Sequence, residues 1–272
     1  MQQFINIKLH QITQNSDAFT GEVINSYDNW NHKHVIGLVG VDSVVKSDVL
    51  ELQPISQVSI LPPELTLTPK ILNNLKPLTT SLLCDYLYLK TNEHETIVIV
   101  SPSWEDSIWY VEWVLLKNAH VIVYIPKTDE NFLSKWSRHP FFKHQSFKNK
   151  SQQIMLRSLR CEDLSSDVLR VTGGYGASGI LILKDSVTAF STDQMTLHRQ
   201  VLLSCGIGGR IVWCSQLDQV DPCECECLFS KGVSLSFFNP DAVLNTDAFR
   251  GIIQHSIILF LKHTLNNSLF LS

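Results

Sequence analysis

No apolar run in this sequence approaches the roughly 18–20 residues that span a membrane. Ser256–Leu261 is apolar but is cut short by Lys262 and His263. A basic excess is missing too: 22 Lys and Arg are set against 26 Asp and Glu, the net charge is −4, and both signs are interspersed. With a pI of about 6.2, that balance points away from nucleic acid. The one basic stretch, Lys143–Lys150 with Phe147 inside it, reads as a solvated loop. The N-terminus lacks a cationic region followed by an apolar stretch, so no signal peptide is expected. The seven cysteines are odd in number and form no disulfide-like framework, which suits a reducing compartment. The expectation is a cytoplasmic protein with neither a membrane nor a nucleic-acid partner.

Several chemistries lack their signatures. The ten histidines show no His-Glu-x-x-His spacing, and Ser103 and Ser107 lie outside any Gly-x-Ser-x-Gly context. Cys223-Glu-Cys-Glu-Cys227 would set three thiols on one face of a strand, with Cys214 as a further candidate. Zinc sites usually join a close pair of cysteines to a second, distant pair. No second pair exists, so no metal is expected. There is no internal repeat.

What is present is a chain able to bury a core: 44% of its 272 residues are hydrophobic, enough for two small domains or one large one. Up to residue 65 short strands dominate. Phe4–Leu9, Phe19–Ile24, His34–Val39 and Val41–Val49 are rich in Val, Ile and Phe and are separated by Asn, Asp and Gly. Leu61-Pro-Pro-Glu64 punctuates the chain, and Pro69–Leu89 turns helical. From Thr96 strands alternate with helices. Thr96–Val100, His120–Ile125, Gly179–Leu183, Gly208–Trp213 (as a turn into a strand) and Val233–Phe238 read as strands. Ile108–Lys117, Asp129–Trp136, a segment closing at Val168–Arg170 and Leu197–Cys205 read as helices. This alternation predicts an α/β fold with a mainly parallel, helix-covered sheet.

The stretch from Thr96 to Ile125 has the βαβ layout that binds dinucleotides, yet its turn, Ser101-Pro-Ser-Trp-Glu-Asp-Ser107, contains no glycine. A dinucleotide turn needs glycines to bend tightly, to let backbone approach the pyrophosphate, and to pack helix on strand. Without them the stretch reads as a capped helix start that holds no ligand.

Three collinear stretches carry a resemblance. Phe19-Thr-Gly-Glu-Val23 followed by Val35-Ile-Gly-Leu-Val39 is similar to the barrel strands EFSGVV and RVMGLV. Val168-Leu-Arg-Val-Thr-Gly-Gly-Tyr-Gly176, then Ile180–Leu183, is similar to LTGGRGVDVVLNSL. Leu202–Asp218, with Gly208-Gly-Arg210 inside, is similar to CLKPGGRFVEIGKFD. These motifs belong to the medium-chain dehydrogenase/reductase superfamily, and the chain most resembles the enoyl reductase domains of animal fatty acid and polyketide synthases. The resemblance implies a substrate-binding GroES-like barrel and a Rossmann domain holding NADPH. Hydride would go to the β-carbon of an enoyl thioester and a proton to the α-carbon. On this chain it implies a trimmed barrel over 1–68, a Rossmann-like domain over 69–240, and a segment over 241–272 returning toward the barrel.

At the functional positions the chain departs from the family. The cofactor loop should read like A-G-S-G-G-V-G. Instead Trp104 and Glu105 fall on two adjacent glycines and Ser107 on the last, around Ser103 and Asp106. Trp104 would fill the pyrophosphate's volume. Glu105 and Asp106 suit a helix dipole by about 0.3–1 kcal/mol each but repel a diphosphate. After the second strand the family's 2′-phosphate Lys falls at Asp129 or Glu130, leaving Lys127 as a candidate phosphate partner. Leu82 stands roughly where relatives place a polar residue near the nicotinamide. The Tyr of the family's NYRD motif is lost at Ser16, after Asn15, and about twenty barrel residues are missing there. The late Lys becomes Gln216, whose amide is no general acid. The family Asp is kept as Asp241, though an Asp after Pro is commonly a turn residue. Relatives end in a barrel-closing strand; this chain stops at Leu271-Ser272, so the barrel is expected to be incomplete or the chain a fragment.

The expectation is a degenerate enoyl-reductase-like domain with no catalytic residue, no NADPH and no metal. Its role would be structural, in a fatty acid or polyketide synthase type assembly. Its expected partners are neighbouring synthase domains and a second copy joined through Val233–Phe238. The main alternative is an active NADPH-dependent enoyl or quinone reductase with an atypical cofactor loop. A third is a module that holds another small ligand in the old cleft.

Overall fold

The computed structural model describes residues 69–126 and 153–246, apart from 218 and 245. It also describes positions 252, 253, 255 and 258 and, before residue 69, the backbone of six strands. Contacts group the chain into two units, Met1–Leu83 with Pro240–Ser272, and Cys84–Asn239.

The first unit carries β1 (Ile5–Ile12), β2 (Ala18–Asn25), β3 (His34–Leu38), β4 (Val44–Lys46), β5 (Val49–Leu52) and β6 (Val58–Ile60). They form one antiparallel sheet in the order β4-β5-β1-β2-β3-β6. Residues 41–49, read from sequence as one strand, are divided between two: Val45 pairs with Leu50 across an antiparallel ladder. Helix α1 (Pro69–Cys84) is followed by one π-helical turn, Asp85–Leu89, which ends at Lys90 in the left-handed region.

The second unit runs β7 (Thr96–Val100), α2 (Trp104–Leu116), β8 (His120–Pro126), β9 (Ile154–Leu159), α3 (Leu164–Val171), β10 (Ala177–Ile182), α4 (Ser186–Ala189), α5 (Gln194–Ser204), β11 (Cys205–Trp213), α6 (Pro222–Lys231) and β12 (Ser234–Phe237). Helix α7 (Pro240–Leu244) returns to the first unit. All five ladders of the second sheet are parallel, in the order β12-β11-β10-β7-β8-β9. This is the expected α/β, Rossmann-like sheet. Its central strands are nearly continuous Val and Ile because both faces are covered: Ile97 to Val100 and Val121 to Ile125 are buried. Val98, Val100, Ile180 and Trp213 pack with Val168 of α3 and Leu197 of α5 in one core.

Strand order reverses at β7. The chain first moves outward through β8 and β9, then returns to place β10 on the other side of β7. In open parallel sheets, ligands bind outside the carboxyl ends of the strands at such a reversal. The place to inspect is therefore just beyond Val100 and Ile182.

Helix boundaries are set by caps. Helix α2 begins at Trp104 rather than Ile108, because extended Ser103 accepts the Asp106 N–H. Helix α5 begins at Gln194 because Asp193 accepts the Thr196 N–H at 2.8 Å. The strand reading of 223–227 is wrong. Asp221 and Glu224 form a capping box, Pro222 opens the helix, and the segment is α6. On a helix Cys223 and Cys227 share a side and Cys225 does not, so the three thiols do not line one face. Among the described residues no group of three or more His, Cys, Asp and Glu is placed to hold a metal, and no helix is long and apolar enough to cross a membrane. The readings at 129–136 and 143–150 lie outside the described residues.

Candidate functional site

The carboxyl end of β7 is tied down by its neighbours. The Val100 carbonyl accepts the Leu183 N–H at 2.9 Å and the Ser186 hydroxyl at 3.1 Å. Ser101 is fully buried. It donates its N–H to the Tyr124 carbonyl at 2.9 Å and its hydroxyl to the Ser103 carbonyl at 2.5 Å. Ser103 then closes the start of α2. Its Oγ accepts the Asp106 N–H at 3.2 Å and donates to Asp106 Oδ2 at 2.6 Å. Ser107, fully buried, donates to the Trp104 carbonyl at 2.8 Å. The Trp104 side chain is only 4% exposed, whereas Glu105 and Asp106 face solvent.

This turn is made without a residue in the left-handed region: the described positions with positive φ lie elsewhere. The first N–H groups of a helix are what an anion would use, and here Asp106's is already taken by Ser103. The residues offer a diphosphate two carboxylates and an indole where it requires bare backbone.

The glycines cluster at the opposite end of the sheet. A Cβ on Gly176 (φ +77) would sit 2.7 Å from the Gly206 nitrogen and 2.8 Å from the Ser204 carbonyl oxygen. One on Gly206 would sit 2.6 Å from the Tyr175 carbonyl oxygen. These glycines let backbone cross backbone where β10 and β11 start, at the amino ends of the strands. They are packing glycines, away from the edge where ligands gather.

The other candidates are scattered. Gln216, just after β11, is exposed, and its carbonyl accepts the Gln194 amide at 2.5 Å. Asp241 opens α7 in the first unit, 71% exposed and 3.7 Å from the Lys76 ammonium. Leu82 is buried in α1. Ser16, Lys127, Asp129 and Glu130 lie outside the described residues. Among the described residues, the turn at 101–107 is thus the one place where several of the proposed positions are brought into contact.

Sequence reasoning overlooked a group near this turn made of Cys84, Tyr110 and Cys214. Burial, then the neighbouring Cys214 thiol, pushes the Cys84 thiol well above its ordinary value. Desolvation, then Cys214 and Cys84, does the same to the Tyr110 hydroxyl. Such groups stay protonated at neutral pH, the reverse of an activated nucleophile. No composition or spacing signal links residues so far apart in the chain.

No protein-family model and no curated protein matches the sequence. Solved structures do match. A quinone oxidoreductase of Pseudomonas syringae pv. tomato DC3000 superposes with a TM-score of 0.66 at 15% identity, over 98% of this chain and 81% of that one. The CurK enoyl reductase gives 0.60 at 14%, over 98% and 80%. A mycobacterial protein complexed with NADPH gives 0.64 at 13%, over 98% and 81%. The chain has the fold of the quinone and enoyl reductases. The likeness is one of architecture, and it runs along nearly the whole chain. At these identities the reductase fold is established by shape, and the chemistry must be argued from the residues themselves.

Proposed function

We propose that this chain is a reductase-fold domain whose cofactor and catalytic positions have degenerated, and that it serves a structural role in a fatty acid or polyketide synthase type assembly. One observation carries the reading: the turn after β7 is glycine-free and closed on itself, with a buried Trp104 at the first helical position and the Ser103–Asp106 cap behind it. Losses at Ser16 and Gln216 point the same way. A cytoplasmic location accords with the cysteine usage. Partners would be neighbouring synthase domains and a second copy added at β12, an edge strand whose Phe237 is half exposed. A chain that runs as a clean monomer at high concentration would rule out the second copy.

The test is a titration of the whole chain with NADPH followed by the cofactor's fluorescence. No saturation is expected; saturation in the micromolar range would overturn the proposal. The alternative, an active NADPH-dependent enoyl or quinone reductase with an atypical loop, draws on the likeness to a protein solved with NADPH. Under it, Trp104→Gly should tighten NADPH binding by opening the turn. Under the proposal the same variant stays unresponsive, because Glu105 and Asp106 remain.

A further inference from the structure

We propose that Cys84 and Cys214 are a redox-sensitive thiol pair that closes to an intramolecular disulfide when the chain meets an oxidising small disulfide, such as glutathione disulfide. Both residues belong to the second unit. Neither is part of the turn after β7, so the inference does not rest on how that turn is read.

The fold brings together two cysteines far apart in the chain. Cys84 ends α1, and the π-helical turn that follows it, Asp85–Leu89, packs on β10 and β11. At the far end of this turn the Lys90 carbonyl accepts the Arg210 guanidinium at 3.5 Å. A Cβ on Gly179 of β10 would sit 3.3 Å from Leu89 Cδ2. At its near end the Cys84 and Cys214 thiols are hydrogen-bonded to each other, Cys214 standing just beyond the last residue of β11. The two ends of the turn thus meet Arg210 and Cys214 along one stretch of chain. Cys205, by contrast, stands at the opposite end of β11.

The main chain holds both cysteines in place. The Cys214 N–H donates to the Ile182 carbonyl at 2.9 Å. Before it Trp213 is fully buried, and the Trp213 indole donates to Ser215 Oγ at 2.6 Å. Beside Cys84, Asp85 accepts the Thr91 N–H and the Trp113 indole N–H. Thiols held in this way meet at a far higher effective concentration than thiols on a free chain.

The two thiols differ in access. Cys84 is fully buried and Cys214 only partly so, so an external disulfide reaches Cys214. The Cys214 thiolate attacks one sulfur of glutathione disulfide, forming a mixed disulfide and releasing one glutathione. Cys84 then gives up its proton and its sulfur attacks that of Cys214, which breaks the mixed bond and releases the second glutathione. Two protein thiols lose two electrons and two protons, and glutathione disulfide takes up both to become two glutathiones. Burial, then the Cys214 thiol, holds the Cys84 thiol well above its ordinary value. The second step is therefore the slower one, because the attacking species is a thiolate.

The experiment incubates the full chain with glutathione disulfide, quenches it with N-ethylmaleimide in denaturant, and maps unreduced peptides by mass spectrometry. A Cys84–Cys214 linked peptide should accumulate, preceded by a glutathione adduct on Cys214, and dithiothreitol should remove both. Unfolding the chain in urea before oxidation should lower the yield of this link by about tenfold or more. Cys214→Ser, at the partly exposed position, should leave Cys84 a free thiol that carries N-ethylmaleimide. Cys84→Ala should stop the reaction at the Cys214–glutathione adduct. Free Cys84 in the oxidised parent, an equal yield of the link in urea, or oxidation of Cys84 in Cys214→Ser would each overturn the proposal.

Discussion

Alanine at Gly176 should destabilise this protein far more than alanine at Gly174, two residues away in the same turn. Both positions are left-handed, with φ of +77 and +89. Each substitution therefore carries the penalty of about 1–2 kcal/mol for an L side chain in that region. At Gly174 the added Cβ meets nothing within 4 Å, so the conformational penalty is the whole effect. At Gly176 the Cβ lands 2.7 Å from one backbone nitrogen and 2.8 Å from a carbonyl oxygen. Backbone cannot swing aside like a flexible side chain, and overpacking of this kind adds about 1–3 kcal/mol. The expected totals are about 1–2 kcal/mol for Gly174→Ala and about 2–5 kcal/mol for Gly176→Ala. Urea unfolding monitored by tryptophan fluorescence measures both, since Trp213 is fully buried in the core of this unit. Equal losses, within about 0.5 kcal/mol, would show that the strand crossing is not the reason for the glycine. Gly176 would then not be serving backbone packing.

Three further outcomes test other parts of the structure. Asp85, 4% exposed, accepts the Thr91 N–H at 2.9 Å and the Trp113 indole N–H at 2.8 Å. Asp85→Ala strands both donors and should cost about 3 kcal/mol, with Asp85→Asn retaining much of that, as read by urea unfolding. Asp167 resists its partial burial because hydrogen bonds from Arg170 and Tyr124 and the Arg157 charge hold its carboxyl below the ordinary carboxylate value. Its contribution is therefore present above the unfolded value of about 3.9 and is lost as pH falls through the lower folded one. Asp167→Asn should lower stability at neutral pH, with the gap to the parent closing in acid; a gap that does not change with pH would refute this. Iodoacetamide under native conditions should label the exposed Cys223 and Cys225 first. Cys205, which burial pushes up to about 11, and Cys84 should stay protected, as peptide mass spectrometry would report.

Core elements were legible because their residues advertise them. Thr96–Val100 is entirely β-branched and Val121–Ile125 is so apart from Tyr124, and both runs became central parallel strands. Edge and cap features were harder. Strand β9, Ile154–Leu159, mixes Arg and Ser with apolar residues because it lies at the sheet edge, and no strand was read there. The 223–227 alternation suggested a strand, but Asp221, Pro222 and Glu224 outweigh it: local capping decides between two periods over so short a segment. The start of α2 at Trp104 was hidden for a related reason, since a Ser N-cap declares itself only through its bond to Asp106.

By itself the sequence determined the α/β alternation, the missing glycines after Val100, and the presence at 16 and 216 of a hydroxyl and an amide, neither of them a general acid at neutral pH. These are properties of residue identity and order, and no fold can alter them. Only the tertiary structure decided where the side chains lead. It buried Trp104 and locked Ser103 onto Asp106. It placed the glycines where β10 and β11 start, and it brought His198 to Glu224 with its second nitrogen unpaired. The reason is physical: burial and pairing are properties of contacts between residues distant in the chain. Parallel strands joined by helices create such contacts without leaving a local pattern to read.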